Sequence, residues 1–289
     1  MTRLPEPTAR RYGTVFDEIA AEYDRHRPVY PDELVDQACQ VAGIGNGDHV
    51  LEIGCGSGQL TRGLLARGLR VTAVEPGTNL MALARQNLAG AGEVEFVNAR
   101  LEDASLPRER FQAVFSASAF HWADPDVSWQ KVADVLVLGG TLALVQYFGL
   151  EEPRSKGDQE AVLAALRKVA PEIAANWPAY RDLDATLAGI EQRRGNVSEV
   201  WAWLGSYDIG RDQAGDLFGD VQAAVMPKLL EHTPDELNAL VRTLSFYARL
   251  SPAQRQALER EHEAVHERLG RPIRASTVAT LVTARRGTR

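Results

Sequence analysis

Three glycines, Gly54, Gly56 and Gly58, stand in the run Leu51-Glu52-Ile53-Gly54-Cys55-Gly56-Ser57-Gly58, between a short apolar stretch and a helical one. Glycine carries no Cβ, so a turn of this kind lets the backbone approach a ligand closely. Two acids flank it. Glu52 stands two residues before the first glycine, and Glu75 closes the next apolar run, Val71-Thr72-Ala73-Val74-Glu75. In a doubly wound sheet a carboxylate there meets the two hydroxyls of a bound ribose. The spacing disfavours two common nucleotide sites. In the dinucleotide pattern G-x-G-x-x-G the third glycine would fall on Gln59, and the phosphate loop requires a Gly-Lys-Ser/Thr ending, whereas no lysine precedes Lys131.

Two histidine-containing segments could also do chemistry. Ser116-Ala117-Ser118-Ala119-Phe120-His121-Trp122 follows an apolar strand-like run, and His121, with an ordinary pKa near neutrality, is a candidate general base for an acceptor hydroxyl or amine. His262-Glu263-Ala264-Val265-His266 matches the H-E-x-x-H zinc motif literally. A catalytic zinc needs a third protein ligand, yet beyond His266 there is no histidine and the only acid is the adjacent Glu267. The flanking Glu259-Arg260-Glu261 and Glu267-Arg268 mark a solvated, ion-paired helix, so no metal is expected.

The elements that must position these residues alternate. Apolar runs at 49–53, 70–75, 94–99, 111–116 and 140–147 are separated by helical stretches near 59–67, 78–89 and 126–136. That order predicts a parallel sheet covered on both faces by helices. From Glu151 to about Gly215 the chain is rich in Ala, Leu, Glu and Arg, shows no good strand, and holds three of the five tryptophans, Trp177, Trp201 and Trp203. It predicts a helical insertion that, with Tyr180 and Tyr207, either closes over a substrate or forms its own small core. Beyond it come a strand at 221–230, helices at 234–247 and 252–269, and a last strand at 276–285. Thr233-Pro234-Asp235-Glu236 and Ser251-Pro252 each place an N-cap before a first-turn proline.

As a set these residues resemble the class I S-adenosylmethionine-dependent methyltransferases. LEIGCGSGQLT is similar to that family's first motif and VTAVEP to its second; VEFVNARLEDASLP, FQAVFSASAFHWADP and VLVLGGTLALV follow in family order, and the resemblance is strong over 30–148. It implies an α/β fold: a doubly wound, Rossmann-like, mostly parallel seven-stranded sheet with an N-terminal helical flap and a helical lid. It implies three parts: flap and cofactor-binding core over 1–150, lid over 151–215, and completion of the sheet over 216–289. It also implies that Glu52 and the turn Gly54, Cys55, Gly56, Gly58 and Gln59 hold the methionine part of S-adenosylmethionine. Glu75 and Pro76 would hold the ribose, Leu101 and Glu102 the adenine, with Ser116 also at the cofactor. Many members of that family carry aspartate where this chain has Arg100.

The segment from Phe16 to Pro31 resembles the flap of small-molecule methyltransferases, the branch of the trans-aconitate methyltransferase-like enzymes. Tyr23 and Arg27, four apart, share one helical face, so the ring could cover the sulfonium and the guanidinium meet the cofactor carboxylate. Tyr30, His121, Trp122, Tyr147, Trp201 and Trp203 would line the acceptor pocket. The expected activity is methyl transfer to a hydroxyl or carboxylate oxygen of a small molecule, the alternative being a cofactor-binding protein that templates a cyclisation or isomerisation or serves as a binding partner.

Bulk properties agree. At 289 residues and 45% hydrophobic the chain can bury one large core and an appended subdomain. A net charge of -7 disfavours a nucleic-acid partner. Two cysteines, Cys39 and Cys55, make no disulfide framework. No run approaches the ~20 apolar residues that span a bilayer, and Met1-Thr2-Arg3-Leu4-Pro5 lacks a secretion signal's apolar stretch, so a cytoplasmic location away from membranes is expected.

Overall fold

The computed structural model describes residues 15–206 and 214–287. Tyr207 lies outside the described residues. The chain divides into two compact units, each assembled from separate stretches. The core unit comprises Pro28–Tyr147, Leu187–Met226 and the chain from Ala279 onward; the companion unit comprises the chain up to Arg27, Phe148–Thr186 and Pro227–Val278.

In chain order the helices are α1 (Val15–Glu18), α2 (Ala20–His26), α3 (Asp32–Ala42), α4 (Gln59–Ala66), α5 (Thr78–Asn87), α6 (Pro125–Val135), α7 (Lys156–Val169), α8 (Pro171–Ala174), α9 (Leu183–Arg193), α10 (Val197–Gly205), α11 (Pro234–Arg242) and α12 (Pro252–Leu269). The strands are β1 (His49–Ile53), β2 (Arg70–Val74), β3 (Val94–Val97), β4 (Phe111–Ala117), β5 (Leu136–Gly149), β6 (Phe218–His232) and β7 (Ile273–Arg286). They form a seven-stranded sheet in the order β3-β2-β1-β4-β5-β7-β6.

β1 pairs parallel with β2 and with β4, β2 with β3, and β4 with β5. β7 runs the other way. Thr280 Oγ1 reaches the Gln146 carbonyl while Arg285, further along β7, reaches the Gly139 carbonyl, earlier in β5. The sheet is therefore mostly parallel and Rossmann-like, as expected. Because the chain leaves β1 toward β2 on one side and returns through β4 on the other, the carboxyl ends of β1 and β4 flank the point where strand order reverses. Open α/β sheets bind their ligands there.

Strand interiors explain the packing. Val50, Leu51, Val71, Ala73, Val114 and Phe115 are all buried, as befits strands covered on both faces. α3 and α4 lay Leu34, Val35, Leu60 and Leu64 into the same cluster. In the companion unit Leu166 of α7, Ile173 of α8, Leu237 and Val241 of α11, and Leu258 and Val265 of α12 make a second cluster. Both proline-led helix starts carry full capping boxes, Thr233 with Glu236 and Ser251 with Gln254.

Several boundaries differ from expectation, three of them with a clear local cause. β5 begins at Leu136, not Gly140, because Gly139 (φ 72°) and Gly140 form an irregularity inside a longer strand: Phe111 pairs with Leu136 but Ala113 with Thr141. The helix expected over 234–247 stops at Arg242, where the Thr243 hydroxyl donates back to the Leu240 carbonyl; a short 3-10 turn follows at Tyr247–Arg249. β7 begins at Ile273, three residues early, its first residue packed into the companion cluster.

Candidate active site

The glycine turn leaves β1 in left-handed backbone. Gly54, Gly56 and Gly58 have φ of 70°, 56° and 93°, values that L side chains rarely adopt. A Cβ on Gly54 would lie 2.3 Å from Ala119 Cβ, so the turn is pressed against the segment that leaves β4. Two backbone bonds tie it to β2: the Gly54 and Cys55 amides donate to the Val74 carbonyl at 2.8 and 3.2 Å.

Glu75 completes this frame. Its Oε2 accepts the Gly56 amide hydrogen at 3.0 Å and its Oε1 that of Gly77 at 2.8 Å. A carboxylate offers about four acceptor sites, so these two bonds alone do not use up the group. Asn98, just past β3, donates its carboxamide to the Glu75 and Pro76 carbonyls at 2.7 and 3.2 Å. Sequence reasoning missed Asn98 because a lone asparagine after a strand reads as turn chemistry.

Glu52 is different. It is 1% exposed, and its Oε2 has no hydrogen-bond partner among the described residues. Burial and the nearby Glu75 carboxylate push its pKa up to about 7, against the Thr61 hydroxyl, which lowers it. The Cys55 thiol is raised by burial first and then by Glu52 and Glu75. The Ser57 hydroxyl is buried and likewise has no partner among the described residues. A buried, unpartnered carboxylate oxygen is an expensive arrangement unless a donor arrives to satisfy it. Glu52 fits an ammonium and Glu75 fits vicinal hydroxyls, so this pair of acceptors suits S-adenosylmethionine.

The remaining expected cofactor residues of the core unit have defined places. Gln59 opens α4, half-buried, and Leu101 is buried. Pro76 is exposed. Glu102 Oε1 accepts the Asp124 amide hydrogen at 2.5 Å, its Oε2 lies 3.7 Å from Arg100, and Lys131 grips its backbone carbonyl at 2.8 Å. Arg100 is thus an ion-pair neighbour of Glu102. Ser116 is wholly buried and its hydroxyl donates to the Ile53 carbonyl at 2.9 Å, pinning β4 to β1 at the reversal point.

Past β4, Ser118 adopts φ 51° and donates its amide to the Val145 carbonyl at 2.8 Å. The one-turn 3-10 helix Phe120–Trp122 follows. Phe120 is buried against Trp129 at 4.7 Å between ring centroids, which anchors the turn and leaves His121 and Trp122 half-buried with their rings 4.7 Å apart. Tyr30 donates its hydroxyl to Ser118 Oγ at 3.1 Å and stacks on Tyr147 at 5.6 Å. Tyr147 in turn donates to the Val29 carbonyl at 2.8 Å, and burial pushes its pKa up to about 12. Tyr30, Tyr147 and the His121 turn are therefore joined through Ser118 at the ends of β4 and β5.

Trp201 and Trp203 lie on α10. Trp201 is fully buried; Trp203 lies against Gly189 of α9, with the Arg193 guanidinium 4.2 Å from its ring centroid. Tyr23 and Arg27 belong to the companion unit. There the Arg27 guanidinium lies 5.1 Å from the Tyr23 ring and 5.7 Å from Phe16, and donates to the Thr243 carbonyl at 2.7 Å. Trp177 packs edge-on against Phe246 and donates to Tyr180 in the same unit.

The zinc-like motif has a plain packing role. His262 is buried with Nδ1 2.6 Å from Asn238 Oδ1, and burial lowers its pKa to about 4. Among the described residues no group of three or more His, Cys, Asp or Glu side chains could hold a metal ion. No helix among them is long and apolar enough to cross a membrane.

A glycine turn and two acids at the reversal point of a 3-2-1-4-5-7-6 sheet define a class I S-adenosylmethionine-dependent methyltransferase fold. Residues 51–144 match the family described as "Methyltransferase domain", and S-adenosylmethionine is the cofactor this match supports. An uncharacterized methyltransferase of Mycobacterium tuberculosis is 37% identical over 134 residues, 45% of this chain and 51% of the relative. The chain thus spans about half the length of the curated relatives it matches. Among solved structures, one assigned to a type II methyltransferase of Anaeromyxobacter dehalogenans superposes with TM-score 0.59 at 23% identity, covering 90% of this chain and 97% of that one. A Haemonchus contortus N-methyltransferase complexed with S-adenosylhomocysteine superposes with TM-score 0.51 at 16% identity, covering 99% of this chain and 61% of that one.

Proposed function

We propose that this chain transfers a methyl group from S-adenosylmethionine to a hydroxyl or carboxylate oxygen of a small molecule. The observation that carries the reading is the contact of Gly54 with Ala119, which sets the cofactor turn directly against the segment bearing His121. When bound, S-adenosylmethionine supplies an electrophilic methyl group on a sulfonium. Glu52 and Glu75 hold the two ends of that cofactor's polar surface. Tyr30, Trp122 and Tyr147 orient the acceptor together with Trp201 and Trp203. Leu101 and Glu102 form the adenine side.

For a hydroxyl acceptor, His121 accepts the proton as the oxygen gains the methyl group. For a carboxylate acceptor no base is needed, and placement alone supplies the rate. The net charge of -7 supports a small-molecule substrate over a nucleic acid.

Calorimetry with S-adenosylhomocysteine, followed by transfer of labelled methyl from S-adenosylmethionine to a panel of hydroxy and carboxylic acids, tests this reading. Absence of binding overturns it; binding with conversion of an acceptor that gains no methyl favours a templating role instead. His121→Ala is expected to leave S-adenosylhomocysteine affinity unchanged and to lower turnover of hydroxyl acceptors by roughly 100-fold or more, the usual worth of a general base. Equal turnover by the variant on every hydroxyl acceptor removes His121 from that role.

A further inference from the structure

Glu52 stands out among the buried groups. It sits inside the sheet, between Ala73 of β2 and Phe115 of β4, with Oε2 unpartnered among the described residues. The surrounding elements offer little to hold a negative charge there. The residue just past β2 contributes the Glu75 carboxylate, the turn the Cys55 thiol, and α4 the Thr61 hydroxyl, of which only Thr61 favours ionised Glu52. From β4 the Ser116 hydroxyl is already donated to the Ile53 carbonyl. Arg85 of α5 acts on Cys55, not on Glu52.

We propose that Glu52 is protonated in the free protein and gives its proton to solvent when the cofactor's ammonium enters the glycine turn, so that binding and proton release are one event. This rests on the reading above that the turn holds the methionine part of S-adenosylmethionine. In the step the carboxyl O–H bond breaks, the proton leaves to buffer, and the carboxylate accepts from the incoming N–H⁺. Burial that disfavours a lone charge favours a pair, because the ammonium is a donor that the protein itself does not supply. Glu52 thereby becomes selective: a cofactor analogue without a cationic amine gives no compensation for ionising it.

The free group, titrating at about 7, sets the expected profile. Binding should release about 0.9 proton near pH ~6, about half a proton near pH ~7 and almost none near pH ~8.5. Calorimetry of S-adenosylhomocysteine binding, in pairs of buffers with different ionisation enthalpies, counts those protons directly. Glu52→Gln should abolish the release while Glu52→Asp retains it. A second readout needs no variant: the infrared carbonyl band of a protonated carboxyl, assigned with carbon-13 glutamate, should be present in the free protein and vanish on adding S-adenosylhomocysteine. Binding without proton release near pH ~6, release undiminished in Glu52→Gln, or a band that persists in the complex each overturns the proposal. No binding at all overturns the cofactor reading instead.

Discussion

Two carboxylates beside one turn have opposite surroundings. Glu75 receives two backbone amide hydrogens, whereas Glu52 Oε2 receives none among the described residues. Removing Glu75 therefore loosens both the ligand and the turn. Hydrogen bonds to charged groups contribute ~1.5–3 kcal/mol each, so Glu75→Ala should weaken S-adenosylhomocysteine binding by roughly 10- to 100-fold or more, measured by titration calorimetry. Unchanged affinity would exclude Glu75 from the site. Glu52 strains the free fold instead. Its pKa is raised to about 7 in the fold, so the unfolded chain loses this proton first as pH rises. Stability is lost between the ordinary carboxylate range and about 7, amounting to as much as ~3 kcal/mol above it. Glu52→Gln should accordingly melt several degrees higher than the parent near pH ~8, by calorimetry without ligand, while binding cofactor less well.

At the scale of elements, the β1–α4 turn and the segment after β4 share one tight contact. Gly54→Ala meets Ala119 at 2.3 Å and also demands φ of 70° from alanine. Strain of this kind costs ~1–3 kcal/mol. The expected outcome is a lower melting temperature together with lost S-adenosylhomocysteine binding; a variant that binds normally would show the contact to be soft. Much of this was legible in advance. Proline after Thr233 and Ser251, with Glu236 and Gln254 at the third helical position, fixes two helix starts by local chemistry alone. The glycines, Glu52 and Glu75 were equally readable, since their types and spacing are local. Gly139-Gly140 misled because adjacent glycines signal a strand's beginning as readily as an interruption within it. Asn98, Ser118 and Ala119 act through partners 20 or more residues away, as with Asn98 and Glu75 or Ala119 and Gly54, and no local pattern reveals such partners.

At the scale of the molecule, each unit is stitched from three stretches of chain. That partition follows long-range packing, which a contiguous reading of the chain does not carry. The companion unit carries its own pH dependence in His262, whose pKa of about 4 in the fold lies below its ordinary value. As pH falls through ~6.5 the unfolded chain takes up a proton that the fold refuses until about 4, so stability is lost over that window, by as much as ~3 kcal/mol. His262→Gln, which keeps a polar partner for Asn238, should hold up better on acidification: its melting temperature relative to the parent should rise steadily from pH ~7 to ~4.5. A constant difference would mean that His262 titrates in the fold as it does in water.

The strand order carries a consequence for synthesis. β7 is made after the other six strands of this sheet, yet it lies between β5 and β6, and among the described residues β6 pairs with no other strand of the sheet. A ribosome therefore holds β5 and β6 with open edges until Ile273–Arg286 emerges, and open edges recruit other chains. For this protein the interval between completing β6 and releasing β7 is the window in which a nascent chain most needs a chaperone.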